Sequence, residues 1–203
     1  MLSEALSGSA SRDSIVLADG RHFTVRPITP ASKPLIAAAM ARLSPESIRR
    51  RFFAPRRELS EQDLRRLTAM DGWNQYALGA CASGANGTLE GIAVARFART
   101  SPDSRTAEIA ITVVDAFQGR GIGKALVARL ANAAAARGIR TLHAIVMPDN
   151  MPIIALLQRY APWSRWRRDG DNLMAVIPLT SGAFERAVPD LVAGGRAVKA
   201  PAR

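Results

Sequence analysis

The stretch Thr112–Leu130, TVVDAFQGRGIGKALVARL, changes character twice. It opens as an apolar run suited to a strand and breaks at Gly119, Gly121 and Gly123, with Lys124 directly behind. It then resumes with Ile122, Leu126, Leu130 and Ala133 at helical spacing. A strand, a glycine turn and a helix start make an anion-binding arrangement. The first-turn amides of a helix lack internal partners and carry the positive end of its dipole. Glycine lets the backbone approach a bulky phosphate without a Cβ in the way.

Two phosphate signatures fail on inspection. A Walker loop would need glycine at Gln118 and a hydroxyl at Ala125. A dinucleotide fingerprint starting at Gly119 and Gly121 would need glycine at Lys124 and an acidic residue near His143, where there is none. A third pattern, Gln-x-x-Gly-x-Gly, is met by Gln118, Gly121 and Gly123.

Working outward, 1–13 reads as a small, polar, flexible leader. SIVLADGRHFTVRPIT reads as a hairpin turned at Asp19-Gly20. Helices are expected over Pro30–Leu43, from Ser44 as N-cap with Pro45 at the first position, and from Ser60, which pairs with Asp63 as a capping box. Strands are expected over Gln75–Ser83, Leu89–Thr100, Thr106–Val114 and Arg140–Met147. Helices are expected over Gly121–Gly138 and Asn150–Tyr160, with a closing hairpin over Trp163–Leu179 turned at Asp169-Gly170. The segment 180–203 reads as a loosely held basic tail. Residues 14–179 form one expected α/β (mixed α+β) domain: a mostly antiparallel mixed sheet with helices on both faces.

The chain has 203 residues and a net charge of +11, which favours acidic partners without choosing among them. Lys33, Lys124 and Lys199 are its only lysines, a bias that genome composition explains. Cys81 is the single cysteine, so neither an intrachain disulfide nor a cysteine metal cluster is expected. No cluster has metal-ligand spacing, and no metal is predicted. No recognition helix or aromatic platform points to specific nucleic-acid binding. The N-terminus lacks a basic start followed by an apolar core, and no apolar run reaches membrane-spanning length. A cytoplasmic protein without a membrane partner is expected.

With its surroundings, the Gln-x-x-Gly-x-Gly pattern resembles the coenzyme A loop of the GCN5-related N-acetyltransferase (GNAT) family, and the likeness runs from about Ile15 to Leu179. The resemblance implies acetyl-CoA as the acyl donor. Ile111, Thr112 and Val113 would then offer backbone groups to the pantetheine arm. Gln118 would complete the loop, Gly119, Arg120, Gly121, Ile122, Gly123 and Lys124 would cradle the pyrophosphate, and Asn150 would touch the cofactor arm. The strand carrying Ile111 is expected to splay from its neighbour at a bulge, which frees amides for the thioester carbonyl.

Acetyl transfer to an amine needs a base, because a free lysine amine has a pKa of about 10.4. Glu108 stands in RTAEIAITVV, a run otherwise nearly free of charge, on the same strand face as Ala110 and Thr112. A carboxylate there either faces a cleft or pairs with an arginine such as Arg96 or Arg99, and residue physics leaves both open. The segments DGRHFTVRPITP, LSPESIRRRFF, LSEQDLRRLTAMD and AEIAITVVDAFQGRGIG are similar to the acetyltransferase domain of bacterial Pat-type protein lysine acetyltransferases. That resemblance implies Glu108 as general base and a protein lysine as acceptor. Such enzymes often carry a regulatory domain, for which this chain is expected to have no room.

Two departures matter. Where the family often has a tyrosine as general acid, the chain has Leu157, with Tyr160 three residues on and expected to pack. The usual Gly-Phe after this helix is Ala161-Pro162-Trp163, which alters the acceptor wall. His143 and Cys81 read as structural, and Arg49, Arg50 and Arg51 as a solvated helix face backed by core Phe52 and Phe53. The alternatives are a small-amine acceptor, such as a polyamine or aminoglycoside, and a non-catalytic coenzyme A-binding module.

Overall fold

Alternation of buried and half-exposed side chains lays the described residues into one eight-stranded sheet. The strands are β1 (Asp13–Val16), β2 (His22–Pro27), β3 (Gln75–Ser83), β4 (Leu89–Arg99), β5 (Thr106–Val113), β6 (Thr141–Val146), β7 (Arg165–Asp169) and β8 (Asn172–Pro178). Their order across the sheet is β1-β2-β3-β4-β5-β6-β8-β7. Every neighbouring pair is antiparallel except β5–β6, which is parallel. The mixed, mostly antiparallel sheet expected from sequence is therefore present. The computed structural model describes residues 13–16, 20–83 and 87–179. The leader (apart from Asp13), turn residues 84–86 and the tail at 180–203 lie outside the described residues.

Helices α1 (Lys33–Met40), α2 (Pro45–Phe52), α3 (Glu61–Thr68), α4 (Ile122–Ala136) and α5 (Met151–Tyr160) complete the domain. The single helix expected over Pro30–Leu43 is divided into a 3-10 turn at Pro30–Ser32 and α1. Pro34 is the reason: inside one continuous helix its ring would meet the carbonyl of Pro30. Ser44 caps α2 by accepting from the Ser47 amide at 3.2 Å, with Pro45 at the first position. Ser60 and Asp63 close the capping box of α3 in both directions, at 3.1 and 3.2 Å.

The β4–β5 register sorts the two faces. Ala110 lies opposite Arg96 and Thr112 opposite Val94, so these side chains share the Glu108 face. Ile109 opposite Phe97 and Ile111 opposite Ala95 share the other. Helix α4 packs on the second face, where Gly123 sits close to Ile111 and Val113, and α1 packs on β4 through Leu35 against Gly91. The core gathers on the α4–α5 side: Phe97, Leu126, Leu130, Leu142 and Ile177 are fully buried in one cluster. Each such side chain contributes roughly 1.5–3 kcal/mol by leaving water. Among the described residues, no helix is long and apolar enough to cross a membrane.

Candidate active site

Strands β5 and β6 pair over three positions only: Thr106 with Thr141, Ala107 with Leu142, and Glu108 with His143. Beyond Glu108 they part, while β5 stays paired to β4 as far as Val113. The β6-facing backbone groups of Ile109–Val113 therefore have no ladder partner, and the splay expected from sequence is present. The strands diverge without a register shift in the paired stretch. The register shift of this part of the sheet lies between β3 and β4, where Ala80 meets Ala93 and Cys81 meets Gly91, leaving Ile92 extra.

Both tips of this fork are tied to α2. Beyond β5, the Asp115 carboxylate accepts from the Ser44 amide (2.9 Å), the Ser44 hydroxyl (2.7 Å) and the Ser47 hydroxyl (2.8 Å). Partial burial opposes ionisation, but these donors hold the carboxyl below its ordinary pKa. Beyond β6, Asp149 pairs with Arg49, and Arg50 donates to the Asp149 carbonyl at 3.1 Å. The hydrogen bond from Arg49 lowers the Asp149 pKa, against desolvation.

The glycine turn follows β5. Gly119 and Gly121 take φ values of 72° and 83°, in the left-handed region where a side chain is strained. Gly121 is the N-cap of α4 and supplies no side-chain cap, so the first-turn amides remain available. Gly123 differs: an added Cβ would meet Ile111 and Leu156 at 3.4 and 3.5 Å, so its small size serves the contact of α4 with β5 and α5. The Lys124 ammonium lies 4.8 Å from the centre of the Tyr160 ring, and the Arg120 and Arg42 guanidinium groups lie 5.7 and 5.5 Å from Phe117. Cations, bare amides and a turn with glycines at Gly119 and Gly121 fit a pyrophosphate.

The other expected contacts gather at the same fork, with distinctions. Gln118 donates to the Val113 carbonyl (3.0 Å) and the Ser47 hydroxyl (3.2 Å), so its amide braces the turn from within the protein. The Ile122 side chain is fully buried, which leaves its backbone as the available part. Asn150 ends the β6 loop as the N-cap of α5, and its side chain makes no capping hydrogen bond.

Glu108 occupies the crotch of the fork as the last residue of β5 paired to β6, and it is exposed. Among the described residues no ion pair within 4.0 Å engages it. Arg99, one of the two partners weighed from sequence, points to the opposite face and donates to the Ser104 and Arg137 carbonyls. Arg96, the other, shares the Glu108 face and donates to Gln75 Oε1 at 3.0 Å. Burial lowers the Arg96 pKa while Glu108 pulls it back up. Arg51 is brought down to about 10 by burial and then by Arg96, with Glu108 again opposing. His143, paired across from Glu108, is held below 6.5 by burial and Arg167. The carboxylate thus stands in a field of two guanidinium groups and a neutral imidazole.

Several expectations need correction. Arg49 and Arg50 are ion-paired with Glu46, and Arg51 turns toward the sheet, so the three arginines are not one solvated face. Phe53 is 43% exposed at the left-handed C-cap of α2, and Phe52 is half-buried beside Arg51 and Arg56. Leu157 is buried, and Tyr160 meets Lys124 beside the turn. Trp163 donates to the Pro178 carbonyl at 3.0 Å, which pins the altered wall to β8. Cys81 is buried as expected, and burial raises its thiol pKa. The Ser44–Ser47–Asp115 clasp was not foreseen, because 68 to 71 residues separate its partners and no local pattern marks it. Among the described residues, no group of three His, Cys, Asp or Glu could hold a metal.

The model of the acetyltransferase (GNAT) family matches residues 45–161. The chain is 33% identical over 147 residues to acetyltransferase Pat of Mycolicibacterium smegmatis, covering 72% of this chain and 43% of that protein. It therefore spans less than half the length of that curated relative. Among solved structures, the GNAT domain of S. lividans PAT superposes with a TM-score of 0.74 at 31% identity, covering 82% of this chain and 96% of that one. The putative acetyltransferase yncA of Salmonella typhimurium, solved with its cofactor acetyl-CoA, gives a TM-score of 0.60 at 16% identity over 78% and 95% of the two chains, a likeness of fold alone.

Proposed function

Because the chain belongs to the acetyltransferase (GNAT) family, we propose that it moves an acetyl group from acetyl-CoA to an amine by direct attack in a ternary complex, with Glu108 as general base. The observation that carries this reading is the fork. Among the described residues, a strand edge without ladder partners, a helix start without a side-chain cap and a carboxylate without an ion pair converge where β5 leaves β6. Acetyl-CoA, when bound, supplies the thioester. The chain's own groups do the rest.

The unpaired edge of Ile109–Val113 holds the pantetheine arm and offers an amide where negative charge develops on the carbonyl oxygen. The turn Gly119–Lys124 takes the pyrophosphate on its backbone amides, and Gln118 keeps that turn docked to Val113 and Ser47. Asn150, free of capping duty, reaches the arm from the β6 side. Glu108 removes the amine proton, directly or through one water. Leu157 offers no acid, and the coenzyme A thiolate leaves without one.

The preferred acceptor is a protein lysine, supported by the likeness to acetyltransferase Pat, and the site of action is the cytoplasm. The test is thiol release from acetyl-CoA with lysine-bearing protein acceptors, for wild type and Glu108→Gln. The variant is expected to lose about 10²–10⁴-fold in kcat/KM while keeping its affinity for acetyl-CoA. Equal turnover by both proteins would remove Glu108 from the mechanism. Turnover confined to small amines would move the acceptor.

A further inference from the structure

The Glu108 face of the sheet has two unlike halves. Over β2–β5 it lies beneath α1, α2 and α3, which enclose a cavity of about 70 Å³. Arg51 and Thr112 line that cavity, whereas Glu108, Ala110 and Arg96 do not. From Glu108 the other half runs away over β6, β8 and β7.

The register places its side chains. Glu108 pairs with His143, His143 with Val176, and Val176 with Arg165. One step along, Ile145 pairs with Met174 and Met174 with Arg167. Directly paired residues share a face, so both rows stand on the Glu108 side. A sheet face left to solvent normally carries polar side chains. Here Ile145, Met174 and Val176 stand half-exposed, while Leu142, Ala144, Ala175 and Ile177 on the opposite face are buried. An open apolar strip beside the candidate base marks a contact surface.

The strip ends in cations. Arg165 and Arg167 are exposed, and among the described residues neither has an ion pair within 4.0 Å. Asp169 is the one acid of β7 and shares their face. Arg167 donates to the Met174 sulfur from Nε and Nη2 at 3.4 and 3.1 Å, which lays its side chain over the strip. Its charge reaches the first row as well: after burial, it is what lowers the His143 pKa.

We propose that this open face docks the acceptor, an extended protein segment with its reactive lysine at Glu108 and an acidic side chain, roughly three to five residues away, over Arg165 and Arg167. The proposal rests on the reading of Glu108 as base and of a protein lysine as acceptor. The spacing follows from the sheet. Three strand separations of about 4.8 Å set the Arg165 backbone about 14 Å from that of Glu108, and an extended chain covers this in about four residues. Apolar side chains between the lysine and the acid would cover Ile145, Met174 and Val176.

Charge and polarity disfavour the other occupants. A nucleic acid would answer the arginines but leave the apolar strip unmet. A second copy meeting this face by two-fold symmetry would set the arginines of both copies against one another. The chain's own segment 180–203 carries four cations, Arg186, Arg196, Lys199 and Arg203, against two acids, Glu185 and Asp190.

The experiment measures thiol release from acetyl-CoA with amino-terminally blocked peptides that each hold one lysine. Glutamate, glutamine or arginine stands three to five residues to either side of it. Wild type is expected to favour the glutamate peptides over the glutamine ones by roughly tenfold in kcat/KM, an advantage that shrinks as salt rises. The double variant Arg165→Gln/Arg167→Gln should erase the preference, and Arg165→Glu/Arg167→Glu should transfer it to the arginine peptides. Arg168, exposed on the opposite face of β7, is the control, and Arg168→Glu should keep the preference for glutamate. Equal use of all three kinds of peptide by wild type would overturn the docking face while leaving lysine acetylation in place. A preference lost equally in Arg168→Glu would trace it to net charge and overturn the face too. With no peptide preference, binding of an oligonucleotide or of a second copy that the double glutamate variant abolishes would give the face to that occupant instead. Turnover of small amines but of no peptide would sink the protein-lysine reading, and this proposal with it.

Discussion

The two faces of β5 carry side chains only one position apart, yet they meet opposite environments. On one face Ile109, Ile111 and Val113 look toward α4 and α5, where Phe97, Leu126 and Leu130 are fully buried. On the other, Glu108 is exposed and, among the described residues, Thr112 buries a hydroxyl without a partner and Arg51 faces a cavity with no ion pair within 4.0 Å. The first face stabilises by removing apolar area from water. The second leaves volume unfilled and polar groups unanswered, each at a cost in stability. Such costs persist where a ligand meets them.

The contrast predicts opposite responses to truncation. Leu126→Ala on the packed face is expected to cost about 2–5 kcal/mol, through lost transfer energy and the void left behind. Chemical denaturation at constant m-value measures it, and a cost near zero would break the contrast. Thr112→Val on the other face keeps shape and removes the unpartnered hydroxyl, so the free protein should gain roughly 1 kcal/mol. A loss of similar size would show that the hydroxyl has a partner after all.

The smallest effect concerns acid. His143 has its pKa held below 6.5 by burial and Arg167, with Glu108 opposing. Protonation therefore penalises the folded state as pH falls through 6.5, and the contribution is fully present above that value. Between about pH 7.5 and 5.5, wild type should lose more thermal stability than His143→Gln. Parallel losses would remove His143 from the pH response.

Much of the fold was legible because its signals are local. The Ser44 and Ser60 caps, the alternation in β5 and β6, and the stripe from Ile122 to Ala133 each declare themselves within one or two turns of chain. The glycine turn was legible for the same reason. Residue type without context misled at Phe53, whose aromatic ring suggested core but whose C-cap position turns it outward. The clasp between α2 and Asp115, the inward turn of Arg51 and the cavity itself depend on pairings between distant segments, which no window of sequence contains. The same holds for Glu108: sequence left Arg96 and Arg99 open as partners, and the β4 register was needed to turn Arg99 away.

The central claim is that the fork between β5 and β6 and the turn behind it hold acetyl-CoA. Amide hydrogen exchange with and without acetyl-CoA tests it most directly. The account predicts new protection at amides within Ile109–Val113 and at Gly121–Lys124, with little change in β1 or β7. Protection elsewhere, with these amides unaffected at saturating acetyl-CoA, would contradict it.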